Sequence, residues 1–407
     1  MITEPPHSEA IEQPDTDVEA LIREARRRAR RRRARAVLAL IMVLSLVVVG
    51  VALTRAPQHS GSATEAPQPS SVLGVPSVAL KQPTALAVSG SGVLYIVDPT
   101  RDQILRRLPD GRFAVVAGNG HAGFSGDGGP ATHAALRLTG ASDIAVGHHG
   151  TVYFTDTGNN VVRSVRPDGR IETIAGNGHH VSPNVNAPYL AGSRPALSAE
   201  LQDPSSVAFG PGGKLYIAAQ DVIALSRDGS ISYFAGPTRP GFSQQSRLID
   251  GTPVDITFDR AGDMFAASFP WLMERTATGR IVFLGDGFRS GGSSGSGSGI
   301  LASSPNGTVF EGYGNADGII NMLVHPTTVP NGTVMSTRGL KRVISPKLLN
   351  RVLGTRGNIQ NGFGPSGLAV AANGTIYTDT DRGYWSSRSA LVEITPRGNV
   401  HTLWTSH

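Results

Sequence analysis

One spacing recurs six times in this chain: a glycine, then an aromatic three residues later. The glycines are Gly92, Gly150, Gly213, Gly262, Gly307 and Gly374, and the aromatics are Tyr95, Tyr153, Tyr216, Phe265, Phe310 and Tyr377. Nine residues before the glycine a proline stands at Pro83, Pro204, Pro253 and Pro365. Each glycine separates two short runs of small apolar residues, long enough for strands and too short for helices. Glycine accepts the positive φ of a tight hairpin turn, and an aromatic at a fixed place on the second strand plugs the gap between neighbouring sheets. A second turn follows at Asp110-Gly111, Asp168-Gly169 and Asp228-Gly229, with Thr278-Gly279 and Arg397-Gly398 in the same place later in the chain. Two hairpins make a four-stranded unit that cannot bury both of its faces alone. Six such units cover one another by packing radially and closing into a ring, so the spacing predicts an all-β, six-bladed β-propeller over residues 72–407. Either Val400 to Trp404 or Ser71 to Val75 is expected to supply the closing strand.

Composition agrees and removes several chemistries. Fifty glycines and a charged fraction of 17% suit many tight turns better than long amphipathic helices. There is no cysteine. That excludes disulfides, thiolate zinc sites, iron–sulfur clusters, cysteine nucleophiles and a lipidated-cysteine anchor. The net charge of +6 is not spread evenly, because much of it lies in one arginine run and one stretch near Lys347. This is not the whole-domain basic surface of a nucleic-acid binder, and no nucleic-acid partner is expected.

The N-terminal fifty residues read differently. Ala36 to Leu53 is an uncharged run of 18 residues. As a helix it spans about 27 Å, close to the hydrocarbon thickness of a bilayer. Nine arginines between Arg23 and Arg35 precede it, and only Arg55 follows closely. The positive-inside rule then leaves the N-terminus in the cytoplasm and the remainder outside. The expected organisation is a cytoplasmic Arg-rich tail (1–35), a transmembrane helix (36–53), a Pro/Ser/Gly-rich extracytoplasmic linker (54–71) and the propeller (72–407). A cleaved signal peptide is the alternative, but the tail is long and no clean small-x-small site follows Leu53. The arginines serve topology and contact with anionic headgroups, or alternatively a cytoplasmic partner.

From Gly150 to Gly178 the chain reads GTVYFTDTGNNVVRSVRPDGRIETIAGNG, and from Ala117 to Leu136 it reads AGNGHAGFSGDGGPATHAAL. The first resembles an NHL repeat and the second the long inter-blade insert of many bacterial NHL proteins. The resemblance is strongest over the first two repeats and fades afterwards, where the Asp-Thr-Gly-Asn-Asn turn is missing. The Arg, Ala and Gly bias without cysteine points to a bacterial, actinobacterial origin. Membership of the NHL-repeat family implies a propeller whose channel mouth, in its enzymatic members, holds a metal or a His/Glu/Asp group.

Aligning the inner strands places Ala85, Asp143, Ser206, Asp255, Ile300 and Gly367 at equivalent channel-mouth positions. Asp143, Ser206 and Asp255 are therefore the ligand candidates, and Asp143 with Asp255 offers carboxylates to a calcium or zinc ion. The same two side chains serve equally well as caps on backbone N–H groups, and no cofactor is required by the sequence. His148-His149 and His179-His180 fall in turns or links without a third ligand at zinc spacing. Asp127, flanked by glycines, is a turn former or a calcium ligand. Asn306-Gly307, Asn331-Gly332 and Asn373-Gly374 read as hairpin turns more readily than as glycosylation acceptors. Three links open with Gly129-Pro130, Arg194-Pro195 and Ser345-Pro346, where short helices ending at Leu136, Leu201 and Gly354 are expected. In the third lie Arg338, Lys341, Arg342, Lys347, Arg351 and Arg356 with no acid among them, a patch suited to an anionic ligand or simply a solvated basic loop.

Three functions fit. The first is a membrane-anchored extracytoplasmic binding module for a protein or a cell-envelope polymer. The second is a metal-dependent propeller lyase or hydrolase acting at the channel mouth, and the third a structural assembly platform. No nucleophile motif and no phosphate-cradling glycine loop favours an enzyme.

Overall fold

The computed structural model describes residues 77–179, 193–235, 254–268, 271–279, 281–285, 300–315, 318–323, 340–344, 363–364, 366–382 and 389–406. The run Ala36 to Leu53, the linker after it, the Gly/Ser stretch from Ser290 to Gly299 and the link from Ser345 to Gly354 lie outside them. Among the described residues no helix is long and apolar enough to cross a membrane.

The described chain forms six antiparallel sheets, each built from consecutive strands. Their innermost strands are Ala85–Val88, Ile144–Val146, Ser206–Phe209, Asp255–Phe258, Ile300–Ser303 and Leu368–Val370, which open blades 1 to 6 in that order. Each packs beside the next, and the sixth packs beside the first, so the sheets form a closed β-propeller. The repeat glycines turn the first hairpin of every sheet, with φ between +71° at Gly213 and +91° at Gly262.

The hydrophobic core lies between the blades, because each sheet is apolar on both faces. One cluster joins blades 1 and 2 through Tyr95, Ile104, Phe154 and Ile171. The next interfaces hold Tyr153 against Phe209, with ring centroids 5.3 Å apart, and Tyr216 against Phe258 at 4.4 Å. Phe265 then meets Leu301 and Val309, and Phe310 meets Leu368 and Val370. Finally Tyr377 and Trp404 of blade 6 close on Leu86, Leu94 and Phe113 of blade 1. The repeat aromatic thus fills the gap to the following blade at all six boundaries.

Among the described residues no strand is exchanged at the seam, and Ser71 to Val75 lies outside them. Val400–Thr405 is the outermost strand of blade 6, and Ser77–Val78 pairs with the outer strand of blade 1. Closure rests on packing. A Cβ at Gly367 would lie 2.8 Å from Leu86 Cγ, and Ser366 Oγ donates to the Pro83 carbonyl at 3.3 Å.

The links differ from expectation. Where helices were expected to run to Leu136 and Leu201, the chain makes single 3₁₀ turns, Ala131–His133 and Ala196–Ser198, and Pro130 and Pro195 stand just before them. The carbonyls of Ala131 and Ala134 accept from the backbone N–H of Gly118 and Asn119, and those of Ala196 and Ala199 from Gly176 and Asn177. A longer helix would need the Ala134 and Ala199 carbonyls for itself. Both links also run along the outer edge of the blade they are about to enter, as shown by the Pro130–Arg170 bridge and the pairing of Arg194–Pro195 with Ser230–Ala235.

Candidate functional site at the channel mouth

Ala85, Ser206, Asp255 and Ile300 begin inner strands, Asp143 and Gly367 stand one residue before theirs, and Asp143, Ser206 and Asp255 meet. Ser206 Oγ lies 2.9 Å from Asp143 Oδ2 and 2.7 Å from Asp255 Oδ1. Each side chain also accepts from the backbone of the following blade. Asp143 Oδ2 takes the Val207 N–H at 2.9 Å, Ser206 Oγ the Ile256 N–H at 3.2 Å, and Asp255 Oδ2 the Leu301 N–H at 2.7 Å. The capping role therefore holds, but across blades, and it stitches blades 2, 3, 4 and 5 together at their inner ends.

Proton counting assigns the charges. A hydroxyl has one proton and two lone pairs. One lone pair of Ser206 receives Ile256 N–H, so its proton reaches one carboxylate and the other carboxyl must bring its own. Burial and the charge of Asp143 push Asp255 up to about 8, while burial pushes Asp143 up to about 6. Among the described residues no cation acts on either carboxyl. Both side chains keep partial contact with water at the mouth, which tempers the desolvation without changing its direction. The consistent arrangement at neutral pH is Asp255–OH donating to Ser206 and Ser206 donating to the Asp143 carboxylate. The two carboxyls share one proton through a hydroxyl, and the pair titrates as a unit.

Around this centre the mouth face is held by a second set of carboxyl and amide side chains. Asp98 accepts from the N–H of Lys81 at 2.7 Å and from Thr100 Oγ1 at 2.6 Å. Asp102 and Asn160 sit in the left-handed region at φ 49° and 54°, and their side chains accept from Leu138 N–H and Asp203 N–H on the next link. Asp and Asn are the non-glycine residues that tolerate this conformation.

Sequence reasoning missed Arg163. It is fully buried, with Asp127 at 2.6 Å, Asp156 at 3.6 Å, the Ser125 carbonyl at 2.8 Å and the Phe124 ring 5.3 Å away. Asp127 is thus the ion-pair partner of Arg163. The signal was present: just after the bulge in the third strand, where blades 1 and 3 carry Leu105 and Ile223, blade 2 carries an arginine. A guanidinium at an inward apolar position demands a buried acid. Anchored this way, the link presents Phe124, 52% exposed, while Leu197 on the next link is 58% exposed.

The other candidates separate from the mouth. His148, His149 and His179 are exposed, and His180 lies outside the described residues. Lys341 and Arg342 stand in a strand, Leu340–Ile344, the outermost of blade 5, and not in a loop. Arg338, Lys347, Arg351 and Arg356 lie outside the described residues. The turns at Asn306-Gly307 and Asn373-Gly374 have glycine φ of +89° and +81°, as a hairpin reading requires. Glu311, unflagged by the repeat, is buried and pushed up to about 7 by that burial. Among the described residues no group of three or more His, Asp or Glu could hold a metal ion.

Residues 48–232 match the family model of the teneurin NHL domain, a span that covers blades 1 and 2 and nearly all of blade 3. Teneurin-m of Drosophila melanogaster is 29% identical over 168 residues, which is 39% of this chain and 6% of that protein. Human teneurin-4 is 28% identical over 229 residues, 51% of this chain and 8% of that protein. The chain therefore spans less than a tenth of the relatives it matches. Among solved structures a streptogramin B lyase superposes with a TM-score of 0.45 at 13% identity, covering 80% of this chain and 84% of that one. The sheet arrangement makes the described chain a β-propeller, and over residues 48–232 it is similar to an NHL domain.

Proposed function

We propose that this chain is a bacterial, actinobacterial, six-bladed NHL propeller, held outside the cytoplasmic membrane by the helix Ala36 to Leu53 and acting as a binding module for a protein or cell-envelope ligand. The observation that carries the reading is how the mouth-face groups are used. Asp143, Ser206 and Asp255 bond to one another and to the amides of adjoining blades, so they brace the ring. A fully buried arginine meanwhile fixes a link that offers an exposed aromatic. A rigid scaffold carrying an apolar side chain to solvent is the arrangement of a recognition surface. The uncharged run and its arginine flank support the anchor and its orientation.

The test uses the full chain in detergent, immobilised and washed with solubilised envelope. Specific retention of one protein or polymer, weakened by Phe124→Ala, is expected. Retention of nothing beyond a blank matrix sinks the reading. A second reading, a metal-dependent lyase or hydrolase, draws on two carboxyls separated by a single hydroxyl. Calcium or zinc bound at about one ion per chain and lost in Asp143→Asn would support it.

A further inference from the structure

In each blade the repeat aromatic is paired across the sheet with one residue of the third strand. That partner is Glu393 opposite Tyr377, Glu274 opposite Phe265, Ala224 opposite Tyr216 and Ser164 opposite Tyr153. Opposite Tyr95 it is a cation, Arg106. Likewise, the residue that opens the second turn is Ser226, Thr276 and Thr395 in blades 3, 4 and 6, but Arg166 in blade 2. Both departures from the repeat face one place: the groove between blades 1 and 2, a cavity of about 490 Å³ lined by Arg106, Arg166 and Arg170 over Tyr95, Val152 and Val165.

Two other boundaries settle their charge internally. Between blades 6 and 1 the Tyr377 hydroxyl faces Glu393 at 3.5 Å, and Arg107 acts on the same phenol. Between blades 3 and 4 the Arg275 guanidinium stacks 4.2 Å over Phe234. In the groove between blades 1 and 2 the balance is left positive. Asp168 is the one lining carboxylate, and Arg166 meets it and Glu172 only at 3.6 and 4.0 Å on an exposed surface. Arg170 spends one N–H on the Gly128 carbonyl, and Arg106 has no acidic partner among the described residues.

We propose that this groove binds an acidic peptide segment of a partner protein, with its carboxylates on Arg106, Arg166 and Arg170 and an apolar side chain on the floor formed by Tyr95, Val152 and Val165. Guanidinium forks favour carboxylates, and an apolar floor between charged walls selects a chain that alternates acid with hydrophobe over a uniformly polar polyanion. The proposal deepens the binding-module reading and rests on it.

The test is fluorescence anisotropy on the full chain in non-ionic detergent, with a fluorescein-labelled peptide in which glutamate pairs flank single tyrosines. Arg166→Ser restores the turn residue of blade 3, and Arg106→Glu gives the partner found opposite Tyr377, so both variants are expected to fold with wild-type melting temperatures. Together they should weaken the peptide at least tenfold, and added salt should do the same to the wild type. Unchanged affinity in the double variant overturns the proposal. So does alginate, an anionic polysaccharide, if it displaces the peptide at equal charge concentration more effectively than unlabelled peptide does. If the peptide fails while envelope retention persists, the groove is wrong and the binding module stands; if both fail, both readings fall.

Discussion

At the residue scale, one buried arginine and one pair of carboxyls make the sharpest predictions. Arg163→Met keeps the volume of a buried arginine but strips Asp127 and Asp156 of their cation and removes the guanidinium donors to the Ser125 and Ala135 carbonyls. Breaking a buried pair from one side costs about 3 kcal/mol or more, so denaturant unfolding should show a loss of that size. A change under about 1 kcal/mol, the value of a surface pair, would mean that Arg163 is not a structural ion. The mouth pair makes a pH prediction. Asp143 and Asp255 titrate higher in the folded chain than unfolded, so between about pH 4 and pH 8 the unfolded state has released protons that the fold still holds. Their stabilisation is therefore full below pH 4 and declines as pH rises through 8. Asp255→Asn supplies the donor to Ser206 permanently. Its melting temperature relative to wild type should climb steadily from pH 5 to pH 9, and a flat difference would refute the shared proton.

At the element scale, the links to blades 2 and 3 repeat one device. Gly118 and Gly176, at φ +95° and +94°, end the outer strands, and a Cβ would stand 2.1 Å from the Asp102 carbonyl or 2.5 Å from that of Asn160. Gly92 has a similar φ of +84° but open space around it. Gly92→Ala should thus cost about 1 kcal/mol from backbone strain alone, whereas Gly118→Ala and Gly176→Ala add a steric clash and should cost roughly twice that or more. Equal losses at all three, measured by urea unfolding, would show that the close approach does not matter. These links also show why a helix signal in sequence gave one 3₁₀ turn. A proline-led start was present, but the carbonyls that would propagate the helix already serve the preceding blade.

At the scale of the whole molecule, the described strands show no exchange between blades 6 and 1, so that boundary is packed as the others are. Tyr377 does at the closing boundary what Tyr153 does between blades 2 and 3. Tyr377→Ala and Tyr153→Ala should each cost about 3 kcal/mol, matching within about 1 kcal/mol. A far larger loss at Tyr377 would mean that closure is the weak point. For the intact protein, the proposed anchor predicts that the chain sediments with membranes, and that protease added outside the cytoplasmic membrane removes the propeller and spares the arginine-rich tail. Protection of the propeller would overturn the orientation.

The sequence by itself determined where the hairpins turn and which residue fills each boundary. Those features are local: a glycine that must take positive φ and an aromatic three residues on cannot be placed differently without losing the turn or the packing. It also placed Asp143, Ser206 and Asp255 at one rim, because a shared register puts equal positions at equal depth. Only the tertiary structure decided that the three touch, that Ser206 stands between two carboxyls, and that each caps the next blade. The same holds for Arg163 finding Asp127 and for Arg106 and Arg166 facing a common groove. The physical reason is that these contacts cross blade boundaries. Residues scores of positions apart become neighbours only when the ring closes, and the short-range rules that fix a turn say nothing of which side chain the next blade will present.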